Sequence, residues 1–163
     1  MTDRGFTLAE MVAVIAILMV LALISTPFVK GYIDDSYYGK AQIFLRQLNE
    51  ARMNFERDYP GFIISGTLED LGDDNNPCDI FALYQESNSQ VLEPNNLVRC
   101  NYVKFPTDLS GRYTFSVRDF TSNCEEGSGL IVAMEGADKS SKYYQKCVTM
   151  DNLGQVNGNE LGN

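Results

Sequence analysis

The sequence predicts an α+β fold: a long N-terminal helix whose first half is apolar enough to span a membrane and whose second half packs on a small sheet. Three patterns predict it. Residues 11–29 run for nineteen positions without a charged side chain. From residue 41 to residue 59, apolar side chains recur at helical spacing. Between residues 112 and 119, Tyr113, Phe115 and Val117 alternate with Thr114, Ser116 and Arg118, the period of a strand with one buried face.

At about 1.5 Å per residue, the apolar run makes a helix of about 28 Å, close to the hydrocarbon thickness of a bilayer. A removable secretory signal fits it poorly. Such signals carry a shorter apolar core of about 7–15 residues, and Leu23-Ile24-Ser25-Thr26-Pro27 lacks the small-x-small pattern at which they are cut. A plain anchor explains the length but not Glu10, because a carboxylate at the edge of an apolar helix is costly and normally has a partner. Arg4 on one flank and Lys30 and Lys40 on the other do not decide orientation.

The run Gly5-Phe6-Thr7-Leu8-Ala9-Glu10, followed at once by the apolar stretch, resembles the processing signature of type IV prepilins and the related pseudopilins. The resemblance covers about residues 1–59. It implies cleavage by a prepilin peptidase between Gly5 and Phe6, methylation of the new amine at Phe6, and an assembly role for Glu10. Pro27 matches a proline that many pilins carry in this helix. Residues 1–5 then form the leader, 6–29 the transmembrane and assembly helix, and 30–163 the globular domain including the amphipathic second half of the helix. Cutting the leader exposes a cationic amine, which is the partner expected for Glu10 of a neighbouring subunit. Removing one member of such a buried pair costs about 3–5 kcal/mol, which makes it a register device.

Beyond Lys30 the helix turns amphipathic. Ala41, Phe44, Leu45, Leu48, Ala51, Phe55 and Tyr59 form an apolar stripe between Gln42, Arg46, Gln47, Asn49, Glu50 and Arg57. Arg46 with Glu50 and Arg52 with Glu56 have ion-pair spacing, and Pro60-Gly61 ends the helix. Pro27, Gly31 and Gly39 are its expected weak points. Residues 61–96 read as a loop of limited structure, with a short helix at 80–84. Residues 97–103, 130–134 and 143–150 are weaker strand candidates, and 152–163 reads as an exposed tail. The resemblance implies an antiparallel sheet packed on the C-terminal half of the helix, and this order of elements is compatible with it.

Cys78, Cys100, Cys124 and Cys147 all follow the apolar run, without a Cys-x-x-Cys pair, and the chain has no histidine. That argues against structural zinc and for two disulfides in an oxidising compartment. Three connectivities are open. Cys78–Cys100 with Cys124–Cys147 is preferred, since adjacent pairing closes loops of about twenty residues worth about 3 kcal/mol each, and a bond closing the last loop resembles the pilin C-terminal loop. Cys78–Cys147 with Cys100–Cys124 is the alternative.

Without histidine the usual general base is missing, and no phosphate-cradling or nucleophile-elbow pattern occurs, so an enzyme is not expected. Asp74, Asn76 and Cys78 break the spacing of a calcium loop, and neither metal nor cofactor is expected. Residues 1–59 hold six Lys/Arg and seven Asp/Glu, whereas 60–163 hold seven and fifteen, a net of −8 for the outer region. That acidity argues against a direct nucleic-acid partner. The resemblance implies a structural subunit of a type IV pilus, a helical homopolymer built by an inner-membrane assembly platform and its ATPase. Such a subunit is single-pass in the inner membrane before assembly and part of an extracellular fibre afterwards. A pseudopilin of a type II secretion system, in a periplasmic pseudopilus, or a minor or competence pilin is the near alternative. The common major pseudopilins, however, favour a calcium loop over a C-terminal cysteine pair. A single-span anchored binding domain that never polymerises is the distant alternative.

Overall fold

The computed structural model describes residues 7–69, 78, 91–118, 130–151 and 154–159. The short helix expected at 80–84 and the acidic turn at 73–76 lie outside the described residues. The first element, α1, spans Leu8–Asp58 and stays helical through Pro27, Gly31 and Gly39. The chain divides into two compact units, Met1–Ser36 and Tyr37–Asn163.

In the first unit the described residues are helix alone. Its large apolar side chains from Leu8 to Val29 are between 51% and 82% exposed, so nothing in its own fold covers them. It belongs to the one helix among the described residues that is long and apolar enough to cross a membrane.

The second unit takes up α1 at Tyr37. The helix ends where Tyr59 N–H donates to the Phe55 carbonyl, and Pro60 and Gly61, the latter at φ +108°, turn the chain. Two short strands follow, β1 (Ile63–Ile64) and β2 (Gly66–Leu68), then β3 (Val91–Leu92), a one-turn helix α2 (Asn95–Arg99) and a 3₁₀ turn at Thr107–Leu109. The longer strands are β4 (Tyr113–Val117), β5 (Leu130–Gly136), β6 (Cys147–Asp151) and β7 (Val156–Asn159). Among the described residues β1 and β3 pair in parallel, and the main sheet runs β2-β4-β5-β6-β7, antiparallel throughout.

The register puts Phe115 beside Met134 and Met134 beside Val148, with Val117, Val132 and Met150 forming the next row. Both rows are fully buried in one core with Phe44, Leu45, Leu48 and Phe55 of α1. The stripe expected on the helix is therefore its buried face. Phe44 meets Phe115 edge-on at 4.8 Å and Phe105 at 5.7 Å between ring centres, the arrangement the ring quadrupole favours.

Three expectations are corrected. Of the strand candidate at 143–150, residues 143–146 form a turn, with Tyr144 N–H donating to the Ser141 carbonyl and Lys146 N–H to the Tyr143 carbonyl, and the strand starts at Cys147. Residues 97–103 are not a strand. Pro94, at φ −59° and ψ −22°, presets a helical turn, and Cys100 N–H donates to the Asn96 carbonyl. Leu97 is fully buried, Asn95 Oδ1 accepts from Glu69 N–H, and Asn96 Nδ2 donates to the Glu93 carbonyl. The segment after 152 is not a tail throughout, because β7 extends the sheet. Gly154, at φ +76°, donates its N–H to the Asp151 carbonyl and Gln155 N–H donates to Asp151 Oδ1, which turns the chain back along β6.

One polar cluster ties the helix end to the sheet. Glu56 accepts from Arg52 Nη1 at 2.8 Å, from Arg118 Nη2 at 3.1 Å, from Arg118 Nη1, and from Ile64 N–H at 3.1 Å. Arg118, at φ +55°, also donates to the Ile64 carbonyl, while Arg52, nearly fully buried, is held on its other side by Asn49 Oδ1. Burial works to raise the Glu56 carboxyl, but the Arg118 bonds, the Ile64 N–H and the two arginine charges outweigh it and hold it below the ordinary value of 4.5. The unfolded chain therefore takes up the proton more readily than the folded one. The stabilisation is complete above 4.5 and is lost as pH falls through the lowered folded value. In thermal melts of the full chain, Glu56→Gln should destabilise the second unit by about 2–3 kcal/mol at neutral pH and flatten this acid limb, because two arginines lose their shared carboxylate. An unchanged acid limb in the variant would remove Glu56 from this role.

Candidate assembly and processing site

The processing point expected between Gly5 and Phe6 lies outside the described residues. The described chain opens on Thr7, and there the residues explain how an apolar helix can begin with a carboxylate. The first turn of a helix leaves its N–H groups without partners. Thr7 N–H donates to Glu10 Oε2 at 2.8 Å, Thr7 Oγ1 donates to the same oxygen at 2.9 Å, and Glu10 N–H donates to Thr7 Oγ1 at 3.3 Å. This is a capping box, and the negative charge also sits at the favourable end of the helix dipole. Glu10 thus has a partner inside its own chain, besides the one expected in a neighbouring subunit. The signal was legible, since Thr7-Leu8-Ala9-Glu10 has the Ser/Thr-x-x-Glu spacing that marks a helix start. Both bonds that Glu10 accepts use Oε2.

Pro27 stands inside α1 and has no N–H for the Leu23 carbonyl. Just before it, Ser25 Oγ donates to the Leu21 carbonyl at 2.7 Å and Thr26 Oγ1 donates to the Ala22 carbonyl at 3.0 Å. The two hydroxyls of the apolar run are therefore satisfied by the helix itself, as a low-dielectric surrounding requires. Among the described residues a Cβ at Gly31 or Gly39 would meet nothing within 4 Å, so packing against them does not demand either glycine.

In the second unit Cys78 and Cys100 are joined by a disulfide with Cα atoms 4.7 Å apart. The bond fastens the chain at Cys78 to the C-terminal end of α2. Cys147 is buried at the start of β6, and its expected partner Cys124 lies outside the described residues. Tyr102 Oη donates to Asp58 Oδ2 at 2.8 Å; burial first, then that bond, push the phenol up to about 12.

Tyrosines of α1 and of the turn before β6 stand together. Tyr38 and Tyr143 stack at 4.1 Å, Arg112 lies 4.1 Å over the Tyr37 ring, and Lys142 and Lys146 stand 5.3 and 5.4 Å from the centre of Tyr143. Lys40 bonds Asp108 at 2.7 Å, and that hydrogen bond raises its ammonium above the ordinary value. Arg112 pairs with Asp138 at 3.3 Å. Among the described residues no group of three His, Cys, Asp or Glu side chains could hold a metal ion.

Residues 1–26 match the family model of the prokaryotic N-terminal methylation motif, which is characteristic of type IV prepilin-like proteins. A long N-terminal helix followed by a small antiparallel sheet is the type IV pilin-like layout. No curated protein and no solved structure matches the chain.

Thr7→Ala and Glu10→Ala should each loosen the first turn of α1 by about 1 kcal/mol. Amide exchange of residues 8–11 in detergent checks this, with faster exchange expected in both variants and unchanged melting of the Tyr37–Asn163 unit.

Proposed function

We propose that this chain, which carries the N-terminal methylation motif, is the precursor of a type IV pilus structural subunit. It is cut between Gly5 and Phe6, methylated at Phe6 and polymerised through its N-terminal helix. The single observation that carries the reading is an apolar helix that the chain's own fold leaves uncovered, directly following a processing motif. Lipid covers this helix before assembly, with the chain single-pass in the inner membrane. Copies of the same helix cover it in the fibre.

Cleavage removes Asp3 and Arg4 and leaves an amine one residue before the Thr7 cap. Thr7 survives the cut, so its two bonds to Oε2 of Glu10 persist. Oε1 is then the acceptor left for the Phe6 amine of a neighbouring subunit. One carboxylate closes its own helix and registers the next chain. The prepilin peptidase, assembly platform and ATPase are the partners this reading requires. A pilus is favoured over a pseudopilus by the C-terminal placement of Cys124 and Cys147.

Mass spectrometry of the N-terminus in the native host tests the processing step. The mature chain should begin at methylated Phe6, and Gly5→Arg should accumulate as full-length precursor in the membrane fraction. Normal maturation of Gly5→Arg would overturn the reading, and an intact Met1 on the wild-type chain would favour a simple anchor.

A further inference from the structure

The apolar run of the first unit closes on two aromatic side chains that the fold leaves bare. Phe28 is 74% exposed and Tyr32, one helical turn later, 77%. Phe44, Phe55, Phe105 and Phe115 are buried, and the next most exposed aromatic side chain among the described residues, Tyr144, stands at 36%. Rings of this size are not left in water without a cost in free energy, so something covers them.

Their place along α1 says what it is. Val29 ends the run, and Tyr32 stands three residues on, about 4.5 Å further along the helix axis. The headgroup layer beyond the hydrocarbon is about 5–8 Å deep, so Tyr32 falls within it while Phe28 stays among the acyl chains. A phenol suits that layer, because its ring is apolar and its hydroxyl is wet. The other end of the span agrees. Tyr32 stands 22 residues after Glu10, about 33 Å of helix, and a tilt of about 20° brings this to about 31 Å. The hydrocarbon is about 30 Å thick, so a Tyr32 held in one headgroup layer leaves Glu10 at the edge of the other.

The charges on this part of the helix allow little sliding. Movement towards the Tyr32 side draws Glu10 into hydrocarbon, and movement the other way draws in Tyr32, Asp34 and Asp35. Lys30 opposes neither position, because its long side chain reaches the headgroups from just inside. Phe28 follows Glu10 by 18 residues, about five turns, so the two stand on one face of an unbroken α1.

We propose that Phe28 and Tyr32 form an interfacial anchor, seated at the acyl–headgroup boundary of one leaflet, that sets the depth at which Glu10 stands in the other. This rests on the membrane-anchored reading given above and names the residues that fix its depth. The anchor acts by position. It keeps the Glu10 turn, and the Gly5–Phe6 bond beside it in sequence, at the membrane surface, where another protein can reach them. Drawing a subunit into a fibre takes both rings out of lipid, so the anchor also opposes release.

The chain has no tryptophan, so one substitution supplies a single fluorescent reporter. The full chain carrying Tyr32→Trp, Leu21→Trp or Met11→Trp is placed in phosphatidylcholine vesicles whose acyl chains are brominated near the headgroup or near the chain end. Tyr32→Trp should be quenched more by the shallow bromines, and Leu21→Trp, at the middle of the span, more by the deep ones. Adding Phe28→Ala and Tyr32→Ala to Met11→Trp shortens the apolar stretch and lets the helix shift outward. The Met11→Trp reporter then sinks, and its ratio of deep to shallow quenching should rise about twofold. A Tyr32→Trp chain that escapes both quenchers while Leu21→Trp is quenched overturns the anchor alone. So does a Met11→Trp ratio that the two alanines leave unchanged. A Leu21→Trp chain that escapes both has not inserted, and overturns the anchored reading as well. Tyr32→Trp emission that moves to longer wavelength as added lipid dilutes the chain overturns the lipid assignment in favour of a second copy.

Discussion

Nineteen successive residues without a charge, whose large apolar side chains stand at least half uncovered, impose the condition that the other features answer. Apolar surface left in water is unfavourable by about 25 cal/mol per Å², so a stretch of this size does not persist bare. In the function proposed for this chain, acyl chains cover it before assembly and equivalent helices cover it afterwards. The few polar groups on the stretch suit both surroundings. Glu10 is closed on Thr7, and the Ser25 and Thr26 hydroxyls fold back on the carbonyls of Leu21 and Ala22. The two hydroxyls need no water, so exchanging lipid for protein neighbours exposes no unmet hydrogen bond at either, while Glu10 keeps Oε1 for a partner.

A globular part carried on such a helix has to be firmly joined to it. In the Tyr37–Asn163 unit the join has an apolar and a polar component. Phe44, Leu45, Leu48 and Phe55 are buried against the sheet, and Glu56 gathers Arg52, Arg118 and Ile64 N–H at the helix end. The polar component is directional. Arg118 sits just beyond β4 with φ +55°, and its guanidinium reaches both Glu56 and the Ile64 carbonyl, which fixes where the chain leaves the helix and where it enters the sheet. The Cys78–Cys100 bond adds a covalent tie to the same region, at the end of α2.

The parts that were legible in the sequence are those where one strong periodicity meets no competitor. The apolar run, the stripe from Ala41 to Phe55 and the alternation in β4 became the uncovered helix, its buried continuation and a central strand. Residues 97–103 were misread because apolar content at Leu97 and Val98 does not separate a strand from a single helical turn, and Pro94 with two buried asparagines decided for the turn. β7 was missed for the opposite reason. Val156-Asn157-Gly158-Asn159 has little strand propensity of its own, and the tight turn at Asp151–Gly154 together with the open edge of β6 makes the pairing. At the helix start, the Thr7 to Glu10 spacing holds the capping information, which depends on the carboxylate's place in the first turn and not on the burial cost of a charge beside an apolar run.

The central claim is that the helix covered by lipid in one state is covered by copies of itself in the other. Ile17 lies near the middle of the run and is 60% exposed. With Ile17→Cys as the probe, oxidative cross-linking in the native host reads that contact directly. The account predicts cross-linked chains in the fibre fraction when the leader is removed, and none when Gly5→Arg retains it. A processed chain that reaches its destination with Ile17→Cys never cross-linked to another copy would contradict it.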